Sequence, residues 1–142
     1  MAGNGKLDGH RVMVVEDDWF IASYVAGALE QAGAEVLGPL PSAAEALRAL
    51  DEDDTLPGAA TLNVTLADGN SLPVAGRLAE LDVPFLFLSA VAAVALPPEL
   101  LNRPRLEKPF AAFQVVDAVR AMLERPGLER PGLERPGLEP RG

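Results

Sequence analysis

A chain of 142 residues with 49% hydrophobic and 23% charged residues suits a single domain with a large aliphatic core, and no second, output domain is expected. Its net charge of −9, with no dense run of Lys or Arg, excludes a protein that tracks a nucleic-acid backbone. The absence of cysteine removes disulfides, zinc–thiolate centres and thiol nucleophiles together.

Residues 1–10 form an N-terminal segment without the apolar stretch of a secretory signal, so the expected location is cytoplasmic. The Asn63-Val64-Thr65 glycosylation pattern is then a chance match, and His10 reads as a loop residue. "RVMVV" at 11–15 is a strand. It leads into a helix over 18–32, where Ile21, Val25, Ala28 and Leu29 recur at helical spacing and Gly33 supplies a stop. "AEVLG" at 34–38 is the second strand, followed by a helix over 42–50 that Ser42 and Glu45 open as a capping box. "AATLNV" at 59–64 precedes a helix over 70–81, with Asp68 of "LADG" read as a turn residue. "PFLFLS" at 84–89 is the fourth strand. The uncharged stretch over 83–98 is shorter than the ~20 residues of a spanning helix and holds Pro84, Pro97 and Pro98, so it is not a membrane span. A weak helix near 97–102, a short strand "RLE" at 105–107 and a helix over 110–124 complete the domain at 11–124.

Residues 125–142 continue the "ERPGL" repeat that begins at Glu124. A five-residue period containing Pro and Gly holds neither helix nor strand, and the tail is read as a flexible appendage. Counted from Glu124, the repeat holds four Glu and four Arg, which leaves the whole negative charge on residues 1–123.

Strands that are apolar throughout belong in a parallel sheet covered on both faces, so the fold class is α/β, a doubly wound three-layer sandwich of five strands and five helices. In such sheets the site lies at the carboxyl ends of the strands. Polar groups cluster there: Glu16, Asp17 and Asp18 after the first strand, Asn63 after the third, Ser89 after the fourth, Lys108 and Pro109 after the fifth. Carboxylates, a hydroxyl and an ammonium in one place suit a hard cation and a phosphoryl group.

"VMVVEDD", "LADG", "PFLFLS" and "LEKPF", in this order, resemble the receiver domain of two-component response regulators over about residues 11–123. The resemblance implies a flavodoxin-like sheet of order 2-1-3-4-5, a cytoplasmic single-domain receiver in phosphorelay signalling, and a signalling partner rather than an enzyme, with no catalytic residue expected. It implies Mg²⁺ held by Glu16, Asp17, position 63 and the Thr65 carbonyl, a phosphate site of Ser89 and Lys108, and a cis bond before Pro109. Asn63 stands at the phospho-acceptor position. An amide oxygen forms no acyl phosphate, so phosphorylation there is excluded and Mg²⁺ binding is expected to be weak.

Two more positions depart from the family. "AVAAVAL" follows Ser89, and Leu106 stands where receivers often carry an aromatic switch residue. Val91, Val94, Leu96, Leu106, Val115 and Met122 are therefore expected to form an interface. Partners expected are a histidine kinase or another signalling protein, and a second copy through the face of the fourth and fifth helices. Trp19 and Phe20 are expected at the rim of the site. The readings that compete are a receiver whose acceptor Asp was replaced by Asn, and a small α/β nucleotide-binding enzyme; no Gly-rich phosphate loop supports the latter.

Overall fold

The aliphatic runs form strands because their residues fill both faces of a sheet that is covered on both sides. The computed structural model describes residues 5–52, 56–66, 68–89 and 104–124. In chain order these form β1 (Arg11–Val15), α1 (Trp19–Gln31), β2 (Glu35–Leu40), α2 (Ala43–Glu52), β3 (Ala59–Asn63), β4 (Thr65–Leu66), β5 (Gly69–Asn70), α3 (Leu72–Glu80), β6 (Phe85–Ser89), β7 (Arg105–Glu107) and α4 (Ala112–Leu123). Five strands make one parallel sheet in the order β2-β1-β3-β6-β7. Counted along the main sheet alone, this is the expected 2-1-3-4-5. β4 and β5 pair separately as a small antiparallel hairpin, which the sequence reading had as a loop. The segment "AVAAVAL" with Val91, Val94 and Leu96, the helix expected near 97–102, and the tail lie outside the described residues.

Alternation along each strand divides the core in two. Met13, Val15, Leu62, Phe85 and Phe87 pack against Ala46 and Leu50 of α2 and Val74 and Leu78 of α3. Val12, Val14, Leu86 and Leu88 face Val25 and Leu29 of α1 and Val115, Val116 and Val119 of α4. Phe85 and Phe87 meet edge to face with centroids 5.5 Å apart, the arrangement ring quadrupoles favour. Each such fully buried side chain contributes roughly 1.5–3 kcal/mol of transfer free energy. Leu7, ahead of β1, is also fully buried in the α1 and α4 layer, and its N–H donates to the Ala32 carbonyl at 2.8 Å.

The pairing of β1 with β2 slips between Met13 and Val15, where Gly38 has φ +116° and a Cβ would stand 2.8 Å from both the Val14 carbonyl oxygen and the Leu40 nitrogen. Only glycine fits. Beyond this slip the Leu40 carbonyl accepts the Glu16 N–H at 3.0 Å, so the irregularity fixes the backbone at the first acidic residue.

The interface expected on the last helix needs correction. Val115 is fully buried, and Leu106 and Met122 pack partly buried against the same core. The apolar residues of this helix form one broad face, because α4 lies against both α1 and the sheet. Phe113, at its start, is 66% exposed.

Candidate functional site

The strand order reverses on either side of β1, so the carboxyl ends of β1 and β3 open the crevice where ligands of doubly wound sheets bind. Glu16 follows β1, Asn63 ends β3, and Lys108 follows β7, held by a chain that turns through a cis bond to Pro109. A second cis bond joins Gly38 to Pro39.

Asn63 is the centre of the cluster. Its Nδ2 donates to Glu16 Oε2 at 2.8 Å, to the Thr65 carbonyl at 2.7 Å and to Asp17 Oδ1 at 3.4 Å. Its Oδ1 accepts from Lys108 Nζ at 3.4 Å. The surroundings decide which end of the amide is which. Three atoms that can only accept surround the nitrogen, and a cation faces the oxygen, so the reversed amide would meet repulsion at both ends.

Glu16 is buried to 2% exposure. Besides Asn63 it accepts the Asp18 N–H at 3.1 Å and pairs with Lys108 Nζ at 3.4 Å. Burial pushes its carboxyl above the ordinary range, against the opposing pull of the Asp18 N–H and the Lys108 charge. Hydrogen bonds to an ionised group are worth about 1.5–3 kcal/mol each, which is how a carboxylate persists here at all. Asp17 stays exposed at the mouth. Asp18 turns away to cap α1, accepting from the N–H groups of Phe20 at 3.0 Å and Ile21 at 3.2 Å.

Glu16, Asp17, Asn63, the Thr65 carbonyl and Lys108 therefore lie together at these strand ends. Ser89 ends β6, paired with Glu107 of β7; only its backbone is among the described residues. The acidic pair is of the kind that holds Mg²⁺, but the N–H groups of Asn63 point to where such an ion would bring its charge. Among the described residues no group of three His, Cys, Asp or Glu side chains is placed to hold a metal.

Beside the polar cluster opens an apolar groove of about 380 Å³ lined by Phe20, Ile21, Tyr24, Lys108, Pro109 and Phe110. Trp19 and Phe20, 78% and 77% exposed, stand at the start of α1 immediately after the acidic residues.

Two residues with structural consequences were missed or misread in the sequence. Asp68 is no simple turn residue: its two carboxylate oxygens accept the N–H groups of Ala43 at 3.0 Å and Ala44 at 3.1 Å, at the start of α2. Tyr24 Oη accepts the Ala112 N–H at 2.9 Å and ties α1 to α4. Neither partner lies near in sequence, so no local pattern could signal them. Ser42 does cap α2 as expected, accepting the Glu45 N–H at 3.1 Å.

A 2-1-3-4-5 parallel sheet, here with an acidic pair, an amide and a lysine at its switch point, is a flavodoxin-like fold. No family model and no curated protein sequence matches the chain, but solved structures do. The solution structure of SdrG from Sphingomonas melonis Fr1 is 31% identical, with 84% of this chain and 98% of that chain covered and a TM-score of 0.69. The signal receiver domain of modulated diguanylate cyclase from Desulfovibrio desulfuricans G20 is 26% identical, with 87% and 100% covered and a TM-score of 0.70. The response regulator PhyR from Brucella abortus is 27% identical, with 81% of this chain and 48% of that chain covered and a TM-score of 0.66. The chain belongs to the response regulator receiver family. Receiver domains are signalling modules of two-component systems, and among the described residues no helix is long and apolar enough to cross a membrane.

Proposed function

We propose that this receiver works without accepting a phosphoryl group, as a cytoplasmic interaction module that binds a histidine kinase or another regulator of a two-component pathway. The observation that carries the reading is Asn63 itself. It occupies the end of β3, with Glu16 and Lys108 still arranged around it. An acyl phosphate requires a carboxylate oxygen as nucleophile, and an amide supplies none.

Exposed aromatic side chains support a protein partner. Trp19, Phe20, Tyr24 and Phe113 are all exposed in a chain with only 5% aromatic residues, and Phe20 and Tyr24 line the groove next to Lys108. Surface aromatics gathered beside a polar site are typical of recognition surfaces. Self-association through the face of the fourth and fifth helices is the second element of this reading. With Val115 buried it rests on Val91, Val94 and Leu96, and a monomeric mass in sedimentation removes it.

The test is incubation with a cognate kinase and, separately, with a small-molecule phosphodonor, followed by binding of the unphosphorylated chain to the kinase. The expected result is binding without label. Stoichiometric, hydroxylamine-sensitive label on the chain sinks the reading.

A further inference from the structure

We propose that the Asn63 amide is a built-in substitute for a divalent cation, holding the acidic pair in its working arrangement so that the site needs no Mg²⁺. This deepens the functional reading above and rests on it only in taking Asn63 as the resident of the acceptor position.

Glu16 Oε2, Asp17 Oδ1 and the Thr65 carbonyl converge on one atom, Asn63 Nδ2. Three oxygens, two of them from carboxylates, are what a hard cation would gather. Here the two amide hydrogens gather them. The short contacts to Glu16 and Thr65 take one hydrogen each, and the longer contact to Asp17 shares them. Partial positive charge delivered by the chain thus offsets the crowding of two carboxylates.

Asn63 Nδ2 stands among these oxygens at 2.7, 2.8 and 3.4 Å, so an ion that draws its ligands to about 2.0–2.1 Å must first displace the amide. Rotating the amide to offer its oxygen to a cation would present the NH₂ to Lys108 Nζ, which now lies 3.4 Å from Asn63 Oδ1. Acceptors at one end and an ammonium at the other clamp the amide in a single orientation. Asn63 therefore both takes the ion's ligands and resists being turned to serve as one.

Trp19 directly follows Asp17 and Asp18 and is exposed, and it is the sole tryptophan, so its fluorescence is a probe two residues from the acidic pair. The experiment titrates MgCl₂ into the full chain while following this fluorescence, and measures thermal unfolding in MgCl₂ and in EDTA, for the unmodified protein, Asn63→Asp and Asn63→Ala. The unmodified chain should show no saturable response at millimolar Mg²⁺ and one midpoint in both media. Asn63→Asp should lose stability in EDTA, regain it with Mg²⁺ and acquire a saturable fluorescence change. Asn63→Ala should be destabilised in both media. A saturable Mg²⁺ response with a raised midpoint in the unmodified chain overturns the proposal, as does an Asn63→Ala variant that keeps the full midpoint in EDTA. No kinase enters these measurements. A phosphoryl label on the unmodified chain would sink the functional reading without altering them, and a metal response would sink this proposal without creating an acyl phosphate.

Discussion

The Asp68 carboxylate reaches back 25 residues to accept the Ala43 N–H at 3.0 Å, and its second oxygen takes the Ala44 N–H. The loop that follows Asn63 is thereby the cap of α2, and the hairpin of β4 and β5 is anchored to a neighbouring helix. These N–H groups hold the Asp68 carboxyl below the usual range. A depressed folded value means that the contribution is present above the ordinary carboxylate pKa and is lost as pH falls through the folded one. Asp68→Ala should lower the thermal midpoint by a few degrees at neutral pH, with Asp68→Asn intermediate because it keeps one acceptor. At acid pH, below the folded pKa, the advantage of the unmodified chain over Asp68→Asn should vanish while the gap between Asp68→Asn and Asp68→Ala persists, and scanning calorimetry across pH checks this.

Glu16 carries the opposite sign. Burial raises its folded pKa above the ordinary 4.5, so between the two values the folded state binds more protons than the unfolded one. Stability contributed by this residue should therefore decline as pH rises through that window. Glu16→Gln should flatten the slope, and Lys108→Met, by removing the nearby cation, should extend it to higher pH. Thermal midpoints measured from about pH 4 to pH 8 distinguish the three chains.

Position along α4 separates packing from recognition. Val115→Ala should cost roughly 2 kcal/mol, because two buried methyl groups are lost and the gap fills only in part. Phe113→Ser should change stability by no more than about 0.5 kcal/mol while weakening capture by a kinase or regulator. Denaturant unfolding and a binding titration on both variants measure the two effects independently.

Tyr24→Phe keeps the ring in the groove and removes only the acceptor of the Ala112 N–H. The loss should be about 1 kcal/mol, with faster hydrogen exchange at the Ala112 amide as its local signature.

Periodicity and strand apolarity made the parallel sheet and most helix limits legible, since both faces of every central strand are buried by the same rule, whereas the order of its strands came from the resemblance. Motif spacing placed Glu16, Asn63 and Lys108 together because each ends a strand of one sheet. What stayed hidden depends on contacts distant in sequence. Asp68 reads as a turn residue until α2 is beside it. Val115 and Met122 resemble a second, free stripe until α4 is laid against both the sheet and the neighbouring α1. The direction of the Asn63 amide is likewise invisible in a one-dimensional pattern, because it is set by carboxylates and an ammonium brought from the ends of two other strands.

Lys108 belongs to two environments at once: its ammonium faces Glu16 and Asn63, and its side chain helps to wall the apolar groove with Phe20, Tyr24 and Phe110. Whatever fills that groove dries the surroundings of this cation and strengthens its pull on Glu16, since charges interact more strongly where water is excluded. By thermodynamic reciprocity, the protonation of Glu16 must then weigh on the affinity of the groove for its occupant. In this one shared side chain, proton uptake at the strand ends is linked to whatever occupies the groove beside them.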